Sequence, residues 1–215
     1  MKTALFAVTA VAGLLIGASA QAQDFQPAKA GTWIIDARIT DVSPTTSDAI
    51  VTSGGSATGL HVHASNNFTP TLGFTYLITD HVSVEAILGT SFHHIKALGA
   101  GTDVVVRDTW VLPPVVTVQY RFAPAARVDP YVGAGVNYML FYGGSDKNGF
   151  TVKTPNGFGY ALQAGVDVAV KGPWVINADV KKVYFNTKAS INGGALKSTV
   201  HLDPWVVSLG LGRKF

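Results

Sequence analysis

The sequence contains no cysteine, which excludes disulfide staples and cysteine-based metal sites. Charge is scarce as well: Asp, Glu, Lys and Arg make up only 13% of the chain, about half the share usual for a soluble domain. The few Lys and Arg are not clustered, so the electrostatic footprint of a nucleic-acid binder is missing. Mean hydropathy is nevertheless +0.28, a value that ordinarily signals membrane helices. Past residue 20, however, no apolar run approaches the roughly 20 residues a spanning helix requires. The hydrophobicity is diluted to one residue in two, among 23 glycines and an aromatic share of 10%.

Residues 1–22 read as a signal peptide. Lys2 gives a basic start, and Ala4 to Ala18 form an apolar run too short to span. Ala18-Ser19-Ala20 or Ala20-Gln21-Ala22 then supplies a small-residue cleavage site. Polar Gln21, Gln23 and Asp24 follow at once, which disfavours a membrane anchor. Loss of Lys2 lowers the formal charge from +3 to +2, so the mature chain, residues 23–215, is nearly neutral.

In that mature chain period-2 alternation recurs about eight times. The segments are TWIIDARIT from Thr32, TLGFTYLIT from Thr71, Val82 to about Phe92, and VVTVQYRF from Val115. They continue with YVGAGVNYMLFY from Tyr131, FGYALQAGVDVAV from Phe158, WVINADVKKVYF from Trp174 and WVVSLGLGRKF from Trp205. Each sets an apolar face against a mixed one, because successive strand side chains point to opposite sides. A soluble sandwich would turn the apolar faces inward, and a membrane barrel would turn them toward lipid. Three features favour the barrel. The segments are long enough to cross a bilayer when tilted, at roughly 9 to 13 residues. Aromatics collect near segment ends, as interfacial girdles require. The mixed faces carry Gly, Thr, Asn and Gln more than Lys and Glu, which suits a confined lumen.

Connections alternate between compact turns and long links, the latter running Ser43 to Asn67, Lys96 to Pro113, Gly143 to Gly157 and Thr187 to Asp203. The expected fold is therefore all-β: an eight-stranded antiparallel transmembrane barrel with short periplasmic turns and long extracellular loops.

The mixed faces place Asp36, Glu85, Asp167 and Asp179 against Arg38, Arg121, Lys181 and Lys214. A small barrel has little more width than its own side chains fill, so these groups are expected to pair into a lumen plug. Leu77, Ile87, Met139 and Phe141 occupy inward positions toward strand ends, and Leu60 and Leu112 lie in the outer links. Leu60, Ile87, Leu112, Met139 and Phe141 are the candidate walls of an apolar pocket above the plug, suited to a greasy ligand.

His93-His94 and His61-x-His63 have no carboxylate within a few positions, and no metal or cofactor is expected from them. Ser91 and His93 share an inward face, a spacing that could pair nucleophile with base. The nearest inward acid, Glu85, lies eight residues from His93, about 26 Å along an extended strand, so no catalytic residue is assigned.

Eight motifs in order resemble the OmpW family of small outer-membrane barrels, which includes the alkane-uptake protein AlkL. They are ARITDVSP from Ala37, FTYLITDHVSVE from Phe74, SFHHI from Ser91, LPPVVTVQYRF from Leu112, PYVGAGVNY from Pro130, QAGVDVAV from Gln163, NADVKKV from Asn177 and LDPWVVSLGLGRKF from Leu202. The resemblance implies a hydrophobic channel leading from the outer loops to a lateral gap in the wall. Pro113 and Pro114, which lack backbone N–H groups, mark the expected opening. Val115 stands where the family carries threonine. The resemblance also implies that Phe215 is what the barrel-assembly machinery recognises.

The expected function is passive, non-enzymatic uptake of small hydrophobic solutes through the outer membrane, with membrane lipid as the surrounding partner. The competing readings are a surface-interaction barrel whose loops bind host, phage or bacteriocin, and a lipid-modifying enzyme.

Overall fold

Strand pairing closes on itself. The computed structural model describes residues 24–99 and 101–215, and the signal-peptide expectation for residues 1–22 lies outside them. Its strands form eight staves. The first joins β1 (Trp33–Ser43) to β2 (Ala49–Thr52), and the second β3 (Ala57–Ala64) to β4 (Asn67–Leu77). The third joins β5 (Val82–Gly89) to β6 (Ser91–Gly99), and the fourth β7 (Thr102–Leu112) to β8 (Val115–Arg121). The fifth is one long strand, β9 (Val128–Asp146). The sixth joins β10 (Val152–Lys153) to β11 (Gly157–Ala169), the seventh β12 (Trp174–Tyr184) to β13 (Asn186–Ile191), and the eighth β14 (Leu196–His201) to β15 (Trp205–Lys214).

The membrane-level ring runs β1-β4-β5-β8-β9-β11-β12-β15 and returns to β1, every pair antiparallel. The seam is the ladder from Ile34↔Lys214 to Ser43↔Trp205. Beyond it the Trp33 and Phe215 backbones exchange two hydrogen bonds of 3.1 and 2.8 Å. Closure removes the unpaired edge that hydrocarbon cannot solvate.

Apolar side chains face outward, as lipid demands: Ile39 is 68% exposed and Leu209 62%, whereas Asp36 and Arg38 are buried. Aromatic pairs ring both ends of this band. Trp33 and Tyr76 sit 4.9 Å apart at the periplasmic rim, and Tyr160 stacks on Tyr184 at 4.7 Å at the outer rim. The stretch from Trp174 to Tyr184 spans about 33 Å along the strand and, at a tilt of about 40°, about 25 Å of bilayer.

The four long links are mostly strand rather than loop. The second halves of the staves, β2, β3, β6, β7, β10, β13 and β14 with the far end of β9, continue the barrel above the hydrocarbon layer. Bulges near Ile50/Val51, Ile95/Lys96 and Asp108/Trp110 explain why simple alternation misses them. Each bulge shifts the register and flips the side-chain parity, erasing the period-2 signal.

Two sites in this framework yield tests. At Gly135 on β9, an added Cβ would stand 1.9 Å from the Val116 carbonyl oxygen, so no side chain fits without breaking the β8–β9 ladder. Gly135→Val is expected to abolish the heat-modifiable folded band on semi-native gels.

In the outer barrel, Asp48 Oδ1 lies 2.8 Å from His201 Nδ1, and the Asp48 backbone oxygen accepts from Val62 N–H at 2.8 Å. Burial pushes the Asp48 carboxyl up, but hydrogen bonds from the His201 ring and backbone outweigh it and hold it below its ordinary value. The same hydrogen bond and the Asp48 charge raise His201. The aspartate's contribution is present above its ordinary value and lost as pH falls through the lowered one. The histidine's is present below about pH 6.5 and lost as pH rises through its raised value. Protection factors at Val62 and His201 are therefore expected to fall several-fold between about pH 6 and 9, and His201→Gln should remove that dependence.

Candidate solute pocket and lumen plug

Even positions on β1 and β15 and odd positions on the other staves at membrane level point into the lumen. There seven of the eight charged residues named above meet. Arg38 bonds Asp36 and reaches Glu85 at 2.8 Å; Lys181 bonds Glu85 at 2.9 Å and Asp179 at 2.5 Å. A second centre forms at Arg121, which pairs with Asp167 and, at 2.7 Å, with Asp129. Neutral side chains splice the centres together. Gln163 donates to Glu85 at 2.9 Å and to Asp179 at 2.6 Å, while Asn177 donates to Asp167 at 2.7 Å and to the Tyr131 hydroxyl at 2.8 Å. Tyr131 completes the link by donating to Asp179 at 3.0 Å. Six staves contribute to this web, and Thr40 ties in the other two through Thr71 at 2.7 Å and Ser208 at 2.9 Å. Gly73 supplies room: a Cβ there would lie 2.5 Å from Asp36 Oδ1 and 2.6 Å from Arg38 Nη2.

Asp129, Tyr131, Gln163 and Asn177 were not singled out in the sequence. Asp129 follows a turn, and Tyr131 falls out of the aromatic pattern only by its inward parity. Lys214 is set apart from the web, donating to the Gln26 carbonyl at 2.9 Å. Below the web, Ala28, Ile34, Leu77 and Val175 form a small apolar floor at the periplasmic mouth. Leu77 therefore belongs to the floor and not to the upper lumen, because stave two runs downward into the turn after it.

Above the plug lies a narrow apolar cavity of about 70 Å³. Ile87, Met139 and Phe141 line it with Val111, Val115, Val183 and Val206, while Thr40, Thr69, Thr71, Ser91, His93 and Thr109 line the side toward staves one to four, with almost no polar surface turned to the cavity. Leu60 does not line it; that side chain packs higher, against the outer-barrel cluster of Ile50, Val62, Val106, Ile191 and Val200. A second void beneath that cluster shares Ile95, Thr109, Phe141 and Leu202 with the cavity, so apolar walls continue upward. Leu112 lies on the outer wall, one residue out of phase with inward Val111.

The wall itself is interrupted beside this cavity. Pairing between staves three and four stops at Ile87↔Val115 and resumes at Ser91↔Val111 in the same register. Across the three rungs between them, Leu88, Gly89 and Thr90 face Leu112, Pro113 and Pro114 without a ladder. On the other edge of stave four the interruption is shorter, since Tyr138 N–H donates to the Pro114 carbonyl at 3.1 Å. Thr71 and Gly89 line both the inner cavity and a groove on the lipid-facing wall that takes in Leu88, Thr90, Leu112 and Tyr142. Outside, the Thr90 and Tyr142 hydroxyls meet at 2.5 Å.

The OmpW family model matches residues 29–215. The chain belongs to the OmpW family. Outer membrane protein W of Escherichia coli is 32% identical to it over 228 aligned residues, covering 100% of both chains. The dibenzothiophene metabolism operon protein PahQ of Pseudomonas aeruginosa is 31% identical, covering 87% of this chain and 90% of its own. Among solved structures, the outer membrane protein OprG of Pseudomonas aeruginosa superposes with a TM-score of 0.83 at 30% identity, over 89% of this chain and 99% of that one. This OmpW-family barrel accordingly lies in the outer membrane, embedded in lipid.

The histidines can be placed within it. His93 points inward and His94 outward, so the pair cannot share an ion; His94 instead bonds Asp108 at 2.6 Å on the outside. His61 and His63 both face outward and are exposed. Ser91 Oγ and His93 Nε2 do meet, at 2.8 Å, but His93 Nδ1 faces the Ser65 carbonyl at 2.6 Å and no carboxylate. A neutral carbonyl orients the ring across the break between β3 and β4, yet it stabilises an imidazolium far less than an acid does.

Removing one partner from a buried charge cluster costs about 3–5 kcal/mol. Asp179→Ala should therefore lower the barrel's unfolding midpoint clearly while changing solute uptake per folded molecule little. Equal heat resistance of variant and parent on semi-native gels would refute this.

Proposed function

We propose that this barrel carries small hydrophobic molecules passively across the outer leaflet and releases them sideways into the membrane. The observation that carries the reading is an inner cavity and a wall groove that share Thr71 and Gly89 as lining, beside three rungs without a ladder. A charged web and an apolar floor fill the lumen below, so a straight path to the periplasm would have to cross buried ion pairs. A greasy solute in the cavity loses nothing by leaving through the wall, because the groove beyond it is lined by Leu72, Leu88 and Leu112. No energy source is needed, since partition from water into apolar surroundings is favourable by about 25 cal/mol per Å².

The surface the cavity presents is almost wholly apolar, since Thr69, Thr71, Ser91 and His93 are already hydrogen-bonded within the protein, and this favours apolar solutes. The relative PahQ, named for a dibenzothiophene metabolism operon, agrees with an apolar aromatic solute. Pro113 and Pro114 have the role of keeping the fourth stave from zipping onto the third.

The test is expression in a barrel-poor outer membrane, followed by uptake of a labelled alkane or aromatic. Faster uptake is expected, and Val111→Trp should remove most of the gain by filling the cavity. Because the chain has no cysteine, Thr90→Cys with Leu112→Cys creates a single disulfide pair across the unpaired rungs. Oxidation should block uptake and reductant restore it. Uptake unaffected by the cross-link would sink the lateral route, and no uptake at all would leave the surface-interaction reading ahead.

A further inference from the structure

Charges on the outside of the outer barrel are distributed unevenly. On staves one to five the acids are all taken. Asp103 pairs with Lys96 at 3.0 Å, Asp146 with Arg107 at 2.5 Å, Asp108 with His94 and Lys147 at 2.6 and 3.3 Å, and Asp48 with His201 at 2.8 Å. On staves six to eight, Lys153, Lys188 and Lys197 are exposed, and among the described residues none has an acidic partner.

Register brings these three together. Lys153 and Lys197 both flank Ser190 on β13, one from each side, which sets their backbones about 10 Å apart. Lys188 lies two residues below Ser190 on the same outward face, about 7 Å away, with Thr199 as its neighbour. Like charges on neighbouring strands repel, and a bound anion would relieve that repulsion. Ser190 and Thr199 add hydroxyl donors between the ammonium groups.

The height of the cluster identifies the anion. Tyr184, on stave seven, marks the outer aromatic girdle, where it stacks on Tyr160. Lys188 stands four residues above it, about 10 Å after allowing for tilt. Lys182, just below, reaches into the girdle with its ammonium 5.0 Å from the Trp205 ring. This is the depth of lipid headgroups and not of open water.

We propose that the outward face of staves six to eight binds the phosphate groups of anionic lipid headgroups in the outer leaflet, with Lys153, Lys188 and Lys197 as ligands. The barrel would then be held in one orientation to its lipid shell, with the bound headgroups on the side away from the wall opening between staves three and four.

The experiment uses the full barrel assembled in phosphatidylcholine nanodiscs and titrated with lipid A carrying its phosphates. Replacing all three (Lys153→Gln, Lys188→Gln, Lys197→Gln) should weaken binding roughly 100-fold at low salt, about fivefold per charge. Lys188→Gln alone should give about fivefold, and the control Lys96→Gln with Lys147→Gln, whose parents are already paired, should change nothing. Three results would overturn the proposal: equal affinity of the triple variant and the parent, undiminished binding of dephosphorylated lipid A, or displacement of the lipid by equimolar inorganic phosphate, which would mean a free-anion site.

Discussion

The constraint on which this structure depends is that hydrocarbon offers no hydrogen-bond partner to a peptide group. A strand assembly in lipid must close, and the ladder between β1 and β15 does so. Closure at eight staves fixes a narrow cross-section. The outer face must then be apolar and the inner face must satisfy its own polar groups, because too little room is left for bulk water. The buried web follows from that geometry. Arg38, Arg121 and Lys181 are tolerable at the barrel centre because five carboxylates, from Asp36, Glu85, Asp129, Asp167 and Asp179, lie within bonding distance of them.

The same constraint gives meaning to the place where it is relaxed. Three rungs without a ladder inside a membrane wall cost free energy unless their groups are absent or otherwise satisfied. Proline supplies the absence at Pro113 and Pro114, which have no N–H to leave unpaired. The interruption falls beside the apolar cavity and above the plug, between polar threonines on one side and valines on the other. A sealed lower lumen, an apolar chamber and an interrupted wall lie side by side, and the proposed sideways release of hydrophobic molecules rests on that juxtaposition.

Much of this was legible in advance. Alternation along TWIIDARIT or WVINADVKKVYF states which side chains face lipid, and Trp33, Tyr76, Trp174 and Tyr184 mark where lipid ends. Inward parity also singled out Asp36, Arg38, Glu85, Arg121, Asp167, Asp179 and Lys181. The outer strands escaped because bulges at Ile95/Lys96 and Asp108/Trp110 reset the phase. Leu112 was placed in the pocket because a link read as loop carries no facing, and the strand found there turns it to the outer wall, one residue out of phase with Val111. Leu60 was placed too low, since a link read as loop carries no height.

The residue order alone determined the sides of the wall, the thickness it spans and the kind of group each face must carry. These follow from a period of two, which is local chemistry written along one strand. Only the tertiary structure decided neighbours. That Gln163 splices Glu85 to Asp179, that Gly89 looks into both cavity and groove, and that Lys153 and Lys197 flank Ser190 all depend on register between strands far apart in sequence. Register is set by closing the whole ring at once, so no single strand encodes it.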